Sequence, residues 1–413
     1  MKIKIWKFLA LIFIVFFAVS ATNVVHAAIT QLAIPPSVSV GFSPEWVAYD
    51  SGKGEIFVPN NGDGTVSVIS DSTDTVVATV TVGQYPVGVA YDSSLGEVFV
   101  TNSGADTVSV ISDSNNQVVA TIPVGTGPQG VAYDSGKGEI FVANTNYDNS
   151  VASTIDTVSV ISDSTNAVTA TINVGAGPLC VVYDHAKGEI FVSNEEAGSA
   201  SSSISVISDS TNTVVATANG GGAPEGLAYD SAKSEIFVAN YASASVSVIS
   251  DKNNALVTTV PLGSGYTGDP TGLAYDSAKG EVYETSLAGA SVFVISDSNN
   301  AVIATAPLVQ LPIGGESFGP LPLGIAYDSA KSELFIADSG SNAVSILSDS
   351  SSGSSSPSPS TSTSASPTSS PSATSPTPTV PEFSSAALVT VAAAIVVVTL
   401  STVAICKKKS KIL

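Results

Sequence analysis

The sequence contains no arginine, two histidines, two cysteines and few charged residues, 12% in all. Each scarcity removes a class of function. Cys180 stands by itself between the termini and Cys406 lies in a hydrophobic tail, so no intradomain disulfide can form. His26 falls in an N-terminal targeting segment, so an imidazole metal site or a Ser-His-Asp triad would rest on His185. Positive charge is confined to 14 lysines, seven of them at the extreme ends (Lys2, Lys4, Lys7, Lys407, Lys408, Lys409, Lys411). The 35 acidic residues therefore face seven lysines in the intervening chain, a net charge near −28. Such a surface repels nucleic acid and anionic membranes. No Gly-rich phosphate loop opens a helix, and no N-x-S/T acceptor occurs, so any glycan would be O-linked.

What is present is punctuation. Gly and Pro number 34 and 22, which suits a β-rich chain with many turns. Residues 1–27 read as a signal peptide: a lysine-rich start, an apolar run from Phe8 to Val19, and a small-residue cleavage site at Val25-His26-Ala27. A retained N-terminal anchor is the alternative. Ser350 to Thr379 is nearly all Ser, Thr, Pro, Ala and Gly and buries too little apolar surface to fold. As polyproline II, at ~3.1 Å per residue, it would reach roughly 100 Å. Ala386 to Ile405 is 20 residues without a charge, the length of a membrane span, followed by Cys406 and a lysine cluster that marks the cytoplasmic side. The expected organisation is 1–27 signal peptide, 28–349 folded domain, 350–381 stalk and 382–413 sorting signal and anchor, with the domain outside the cell.

The folded segment is internally repetitive. The string P-x-G-V-A-Y-D or a close variant begins at Pro44, Pro86, Pro128, Pro178, Pro224, Pro270 and Pro322. Each copy continues with Glu-(Ile/Val/Leu)-(Phe/Tyr), then Val-Ser-Val-Ile-Ser-Asp, then Val-Val-Ala-Thr, or similar. These are short β-branched or aromatic runs separated by turn residues, four strands A to D per unit. Seven such units predict an all-β, seven-bladed propeller of four-stranded blades; an open solenoid is the alternative. The termini discriminate. The seventh unit stops after strand C, at Asp349, while Ile34 to Gly41 fit a strand D. A blade shared by both ends closes the ring and removes its open edges.

The strand-B runs Phe99-Val100-Thr101-Asn102, Phe141-Val142-Ala143-Asn144, Phe191-Val192-Ser193-Asn194 and Phe237-Val238-Ala239-Asn240 resemble the YVTN-family β-propeller repeat of archaeal surface-layer and other exported proteins. The resemblance covers residues 34–349 and implies the fold rather than an activity. Units 6 and 7 depart from it, with Ser286 and Asp338 at the Asn position. Pro381-Glu382-Phe383 before the apolar tail resembles the PEF sorting signal of archaeal surface proteins. That resemblance implies an archaeosortase as a processing partner.

A repeat protein differentiates where its units differ. From the proline to the strand-C Ile, or Leu347, the spacing is 25 residues in five units, 33 in unit 3 and 29 in unit 4. From there to the next proline it is 17 after units 1 to 4, 21 after unit 5 and 27 after unit 6. The insertions therefore fall in B–C and D–A connections, which emerge on one face, the usual place of binding loops. They carry Asn146, Tyr147, Asp148, Asp156, Glu195, Glu196, Tyr266, Asp269, Glu316 and Phe318. The third residue of each unit is expected at the channel mouth: Gly in five blades, Trp46 as plug or stacking surface in blade 1, and Cys180 as a small hydrophobe in blade 4.

The recurrent acids, Asp50 to Asp328 after strand A and Asp71 to Asp349 after strand C, read as turn caps. Weak calcium binding at Asp71-Ser72-Thr73-Asp74 and its copies is the alternative; no other cofactor is indicated. Lys53 and its copies read as surface partners within their own turn. The expected function is a non-enzymatic, cell-surface recognition or adhesion module for other surface proteins or glycans. Its alternatives are a self-assembling envelope component and, third, a propeller lactonase or lyase.

Overall fold

The structure is a computed structural model that describes residues 36–145, 156–195, 202–263, 269–308 and 320–349. Seven separate four-stranded antiparallel sheets surround one axis. Blade 2 shows the pattern: strand A Pro86–Asp92, B Glu97–Asn102, C Thr107–Ser112 and D Gln117–Pro123. Blade 1 has a shorter strand A, Ala48–Asp50, with Pro44 bridged separately to Asn60. In blade 7, strands Pro322–Asp328, Glu333–Asp338 and Ala343–Ser348 are completed by Ser37–Ser39 from the N-terminal side. Ser37 pairs with Ser345 and Ser39 with Ala343, so the ring closes where the sequence predicts. Among the described residues no helix is long and apolar enough to cross a membrane, and the tail at 386–405 lies outside them.

Packing occurs between blades rather than within them. Strand B buries one large ring per blade: Phe57, Phe99, Phe141, Phe191, Phe237, Tyr283 and Phe335. Burying a side chain of this size is worth about 1.5–3 kcal/mol. The buried residues form seven clusters, one at each seam, and the cluster of Val38, Phe335 and Val344 with Val47, Ile56 and Ile69 joins the last blade to the first. Strand D is largely exposed at the rim, as in Thr75–Thr81.

Polar contacts repeat the same neighbour-to-neighbour logic. In the A–B turns the aspartate caps its own backbone: Asp50 Oδ1 accepts from Gly52 N at 2.7 Å and Lys53 N at 3.2 Å. Each strand-A tyrosine hydroxyl faces the preceding blade's aspartate, from Tyr91 against Asp50 round to Tyr49 against Asp328. The lysines depart from expectation: they leave their own turn and pair with the strand-C aspartate of the next blade. Lys53 meets Asp113 at 3.4 Å, Lys137 Asp209 at 3.5 Å, Lys233 Asp297 at 3.4 Å, Lys279 Asp349 at 2.7 Å and Lys331 Asp71 at 3.5 Å. Lys187 instead holds Glu189 at 3.0 Å and donates to the Asp251 carbonyl. Blade 2 has Leu95 in place of lysine.

Candidate functional site

Strand pairing fixes which connections share a face. Pro128 opens strand A of blade 3 opposite Asn144, which closes strand B (Glu139–Asn144), and Thr157 opens strand C opposite Asn173, which closes strand D. The B–C and D–A connections and the inner ends of the A strands therefore lie together. The A–B and C–D turns lie at the other face.

The inner ends converge on a cavity of about 240 Å³. The second residue of every unit lines it: Glu45, Val87, Gln129, Leu179, Glu225, Thr271 and Leu323, joined by Trp46 and Glu195. The expectation had placed the third residue there. Successive residues of a strand point to opposite sides, so in the glycine blades the third faces the neighbouring blade instead, while Trp46 lines the cavity as expected. A Cβ on Gly88 would sit 2.3 Å from the Gln129 carbonyl, and one on Gly226 2.1 Å from that of Thr271. Glycine is needed there because adjacent backbones touch.

Hydroxyls on strand B anchor the lining residues. Thr101 Oγ1 donates to the Gln129 carbonyl at 2.6 Å, Ser193 Oγ to that of Glu225 at 2.6 Å, and Thr285 Oγ1 to that of Leu323 at 2.6 Å. The Gly324 amide donates to the Glu45 carbonyl at 2.9 Å. The backbone of Glu45, Gln129, Glu225 and Leu323 is thus held by the preceding blade.

Trp46, where five blades have glycine, packs against the cluster between blades 1 and 2 and also against the one between blades 4 and 5. These clusters stand on different sides of the ring, so the indole reaches across the axis, where it lines the cavity. Cys180 is buried in the second cluster, and burial pushes its thiol up to about 11. It is a small hydrophobe, not an activated nucleophile.

Among the described residues the cavity is acidic and lacks positive counter-charge. Burial pushes the Glu45 carboxyl up to about 7. Burial, then the charges of Glu195 and Asp269, push Glu225 up to about 8. Burial raises Glu195 as well, and Tyr241, beside Asp269, Glu225 and Glu195, is raised by the same causes. No connection on this face contains Lys, Arg or His. The lysines between residues 36 and 349 all stand in A–B turns, or at Lys252 in a C–D turn, at the opposite face.

Of the residues singled out in the sequence, Trp46 and Glu195 line the cavity and Asp269 lies beside Glu225. Asp156 Oδ2 accepts from Gly177 N at 2.6 Å, a loop-tying role. Asn146, Tyr147, Asp148, Glu196, Tyr266, Glu316 and Phe318 lie outside the described residues, as do Pro381, Glu382 and Phe383. His185 stands in the A–B turn of blade 4, its ring edge-on to Tyr229 at 5.5 Å, at the face away from the cavity. Among the described residues no cluster of three His, Cys, Asp or Glu side chains is arranged to hold a metal ion. Sequence reading missed Glu45 and Glu225. Their signal was the variable x of P-x-G, where two of seven units place a glutamate at an otherwise uncharged position.

Residues 141–265 match a family model described as lactonase, 7-bladed β-propeller. No curated protein matches the chain in sequence. Among solved structures, the Kuenenia stuttgartiensis hydrazine synthase superposes with a TM-score of 0.64 at 18% identity, covering 74% of this chain and 95% of that one. The Myceliophteria thermophila Cps50 (Swd1) β-propeller domain superposes with a TM-score of 0.59 at 10% identity, covering 77% and 100%. At these identities the likeness is one of fold.

Proposed function

We propose that the chain is a cell-surface recognition module of the YVTN type, displayed on its Ser/Thr/Pro stalk and engaging a ligand at the channel mouth. The observation that carries this reading is where the units disagree. The variable second residues, the aromatic exception Trp46 and Glu195 from the lengthened blade 4 connection meet at one cavity. Random drift would scatter such departures over both faces. The signal peptide, the PEF-type tail and membrane attachment belong to the same reading and rest on the sequence at 1–27 and 381–413. The test is a binding screen of residues 28–349, whose ring is closed by Ser37–Ser39, against surface glycans and envelope proteins. Binding should be lost in Trp46→Ala with Glu225→Gln and persist when His185 is replaced. Binding that ignores the mouth variants would sink the reading.

A second reading is favoured by the match over residues 141–265: hydrolysis of a lactone at the same mouth. Glu45 and Glu225, held near neutral, have the proton affinity that general acid–base chemistry uses. A panel of lactones assayed with the parent chain and with Glu45→Gln and Glu225→Gln decides it. Turnover that falls by 100-fold or more in either variant would establish the enzyme, and absence of turnover would remove it.

A further inference from the structure

The mouth has a chemical bias that identifies a ligand class, and this deepens the reading above and rests on it. Three of the nine side chains around the cavity are carboxyls, and none is basic. None of the ion pairs among the described residues involves Glu45, Glu195 or Glu225. A carboxylate withdrawn from water without a counter-ion is costly and takes up a proton instead, a proton that an entering cation can replace. The absence of Lys, Arg and His from every connection of this face makes the long-range field attractive to cations and repulsive to anions. Trp46 offers an indole, the best aromatic partner for a cation, and Leu179 and Leu323 add apolar wall. A volume near 240 Å³ admits a fragment-sized molecule, smaller than ordinary drug-sized pockets of ~300–1,000 Å³. A bare metal ion would leave the indole and leucines unused, and no metal-holding cluster occurs among the described residues.

We propose that the channel mouth binds a small organic ammonium ion, its charge taken by Glu45, Glu225 and Glu195 and its carbon skeleton laid against Trp46. An ammonium favours the ionised carboxyls, so binding expels protons from Glu45 and Glu225 and tightens as pH rises. The charged neighbours of Glu225 are Glu195 and Asp269, with Tyr241 close to all three. No charged side chain shifts Glu45, whose raised value comes from burial.

Trp46 also supplies the readout. The two tryptophans of the chain are Trp6 and Trp46, so a protein starting at residue 28 reports on the cavity through its indole alone. The experiment titrates 1,4-diaminobutane, 1,4-butanediol and a neutral hexose into that protein at pH 6 and pH 8.5, following Trp46 emission and heat. The expected result is saturable binding of the diamine at least tenfold tighter at pH 8.5, proton release at pH 6, and no response to the diol. Glu225→Gln and Glu45→Gln keep the side-chain shape, and each should weaken the diamine by tenfold or more while melting as the parent does. A response to diol or hexose but not to diamine overturns the ammonium and keeps the mouth as a ligand site. Silence toward charged and neutral probes alike overturns both. Equal diamine affinity at the two pH values, or in the glutamine variants, overturns the assignment of the carboxyls.

Discussion

Glu284 puts a carboxyl group at a position built for a branched hydrocarbon, and replacing it should stabilise the protein. In the other blades this strand-B site holds Val58, Val100, Val142, Val192, Val238 or Ile336. In blade 6, strand B (Glu281–Ser286) places Glu284 opposite Leu273 on one side and Phe293 on the other, fully buried. Neither carboxyl oxygen has a hydrogen-bond partner. Burial pushes the group well above 4.5. The folded state therefore binds this proton more tightly than the unfolded chain. The contribution of this group to stability is greatest below pH 4.5 and falls as pH rises, until the folded-state carboxyl ionises. The slope is up to about 1.4 kcal/mol per pH unit. Glu284→Val removes an unpaired buried polar group, worth about 1–3 kcal/mol where that group is neutral. Over two pH units above 4.5 the titration adds up to about 2.7 kcal/mol. Glu284→Gln removes the slope and keeps the unpaired polar group. Urea unfolding of residues 28–349 at pH 4.5, 5.5, 6.5 and 7.5 reads both parts, each taken as a difference from the parent so that other titrating groups cancel. A gain for Glu284→Val that does not grow with pH, or a loss at every pH, would refute the account.

Other outcomes follow from the seams. Asp338 is buried in place of the asparagine of blades 1 to 5, and burial, against a bond from Ser345, pushes it up to about 6. Its contribution is lost as pH rises from 3.8 to about 6, so Asp338→Asn should gain about 1–3 kcal/mol at pH 7.5 and little at pH 4, by the same unfolding series. Leu95→Lys should supply the ion pair that the seam between blades 2 and 3 lacks, reaching Asp163, which burial and Asp92 now raise. The gain should be about 0.2–1 kcal/mol in low salt and vanish in 1 M NaCl. Gly226→Ala drives a methyl into the Thr271 carbonyl and should cost at least about 1–3 kcal/mol, visible as a lower Tm.

Architecture was legible because it is local and repeated. Each unit's β-branched runs and turn residues specify four strands, and the missing strand D at Asp349 announced the closure that Ser37–Ser39 perform. The aspartates after strand A were legible for the same reason, since Asp50 bonds residues two and three positions on; those after strand C, read as caps too, instead take lysines of the preceding blade, as Asp71 takes Lys331. Partners one blade away were not. Lys53 reads as a neighbour of Glu55 in the sequence, yet its Nζ lies by Asp113, 60 positions on, because twisted blades bring one unit's A–B turn beside the next unit's C–D turn.

The site divided along the same line. Amino-acid order alone located the exceptional residues Trp46, Glu195 and Asp269 and the face bearing the longer connections. It could not say that Glu45 and Glu225, 180 positions apart, share a cavity with an indole. That depends on which side of strand A turns to the axis, and the tight backbone contacts between blades decide it. In the glycine blades the third residue is consumed by those contacts, and the second is left to face the channel.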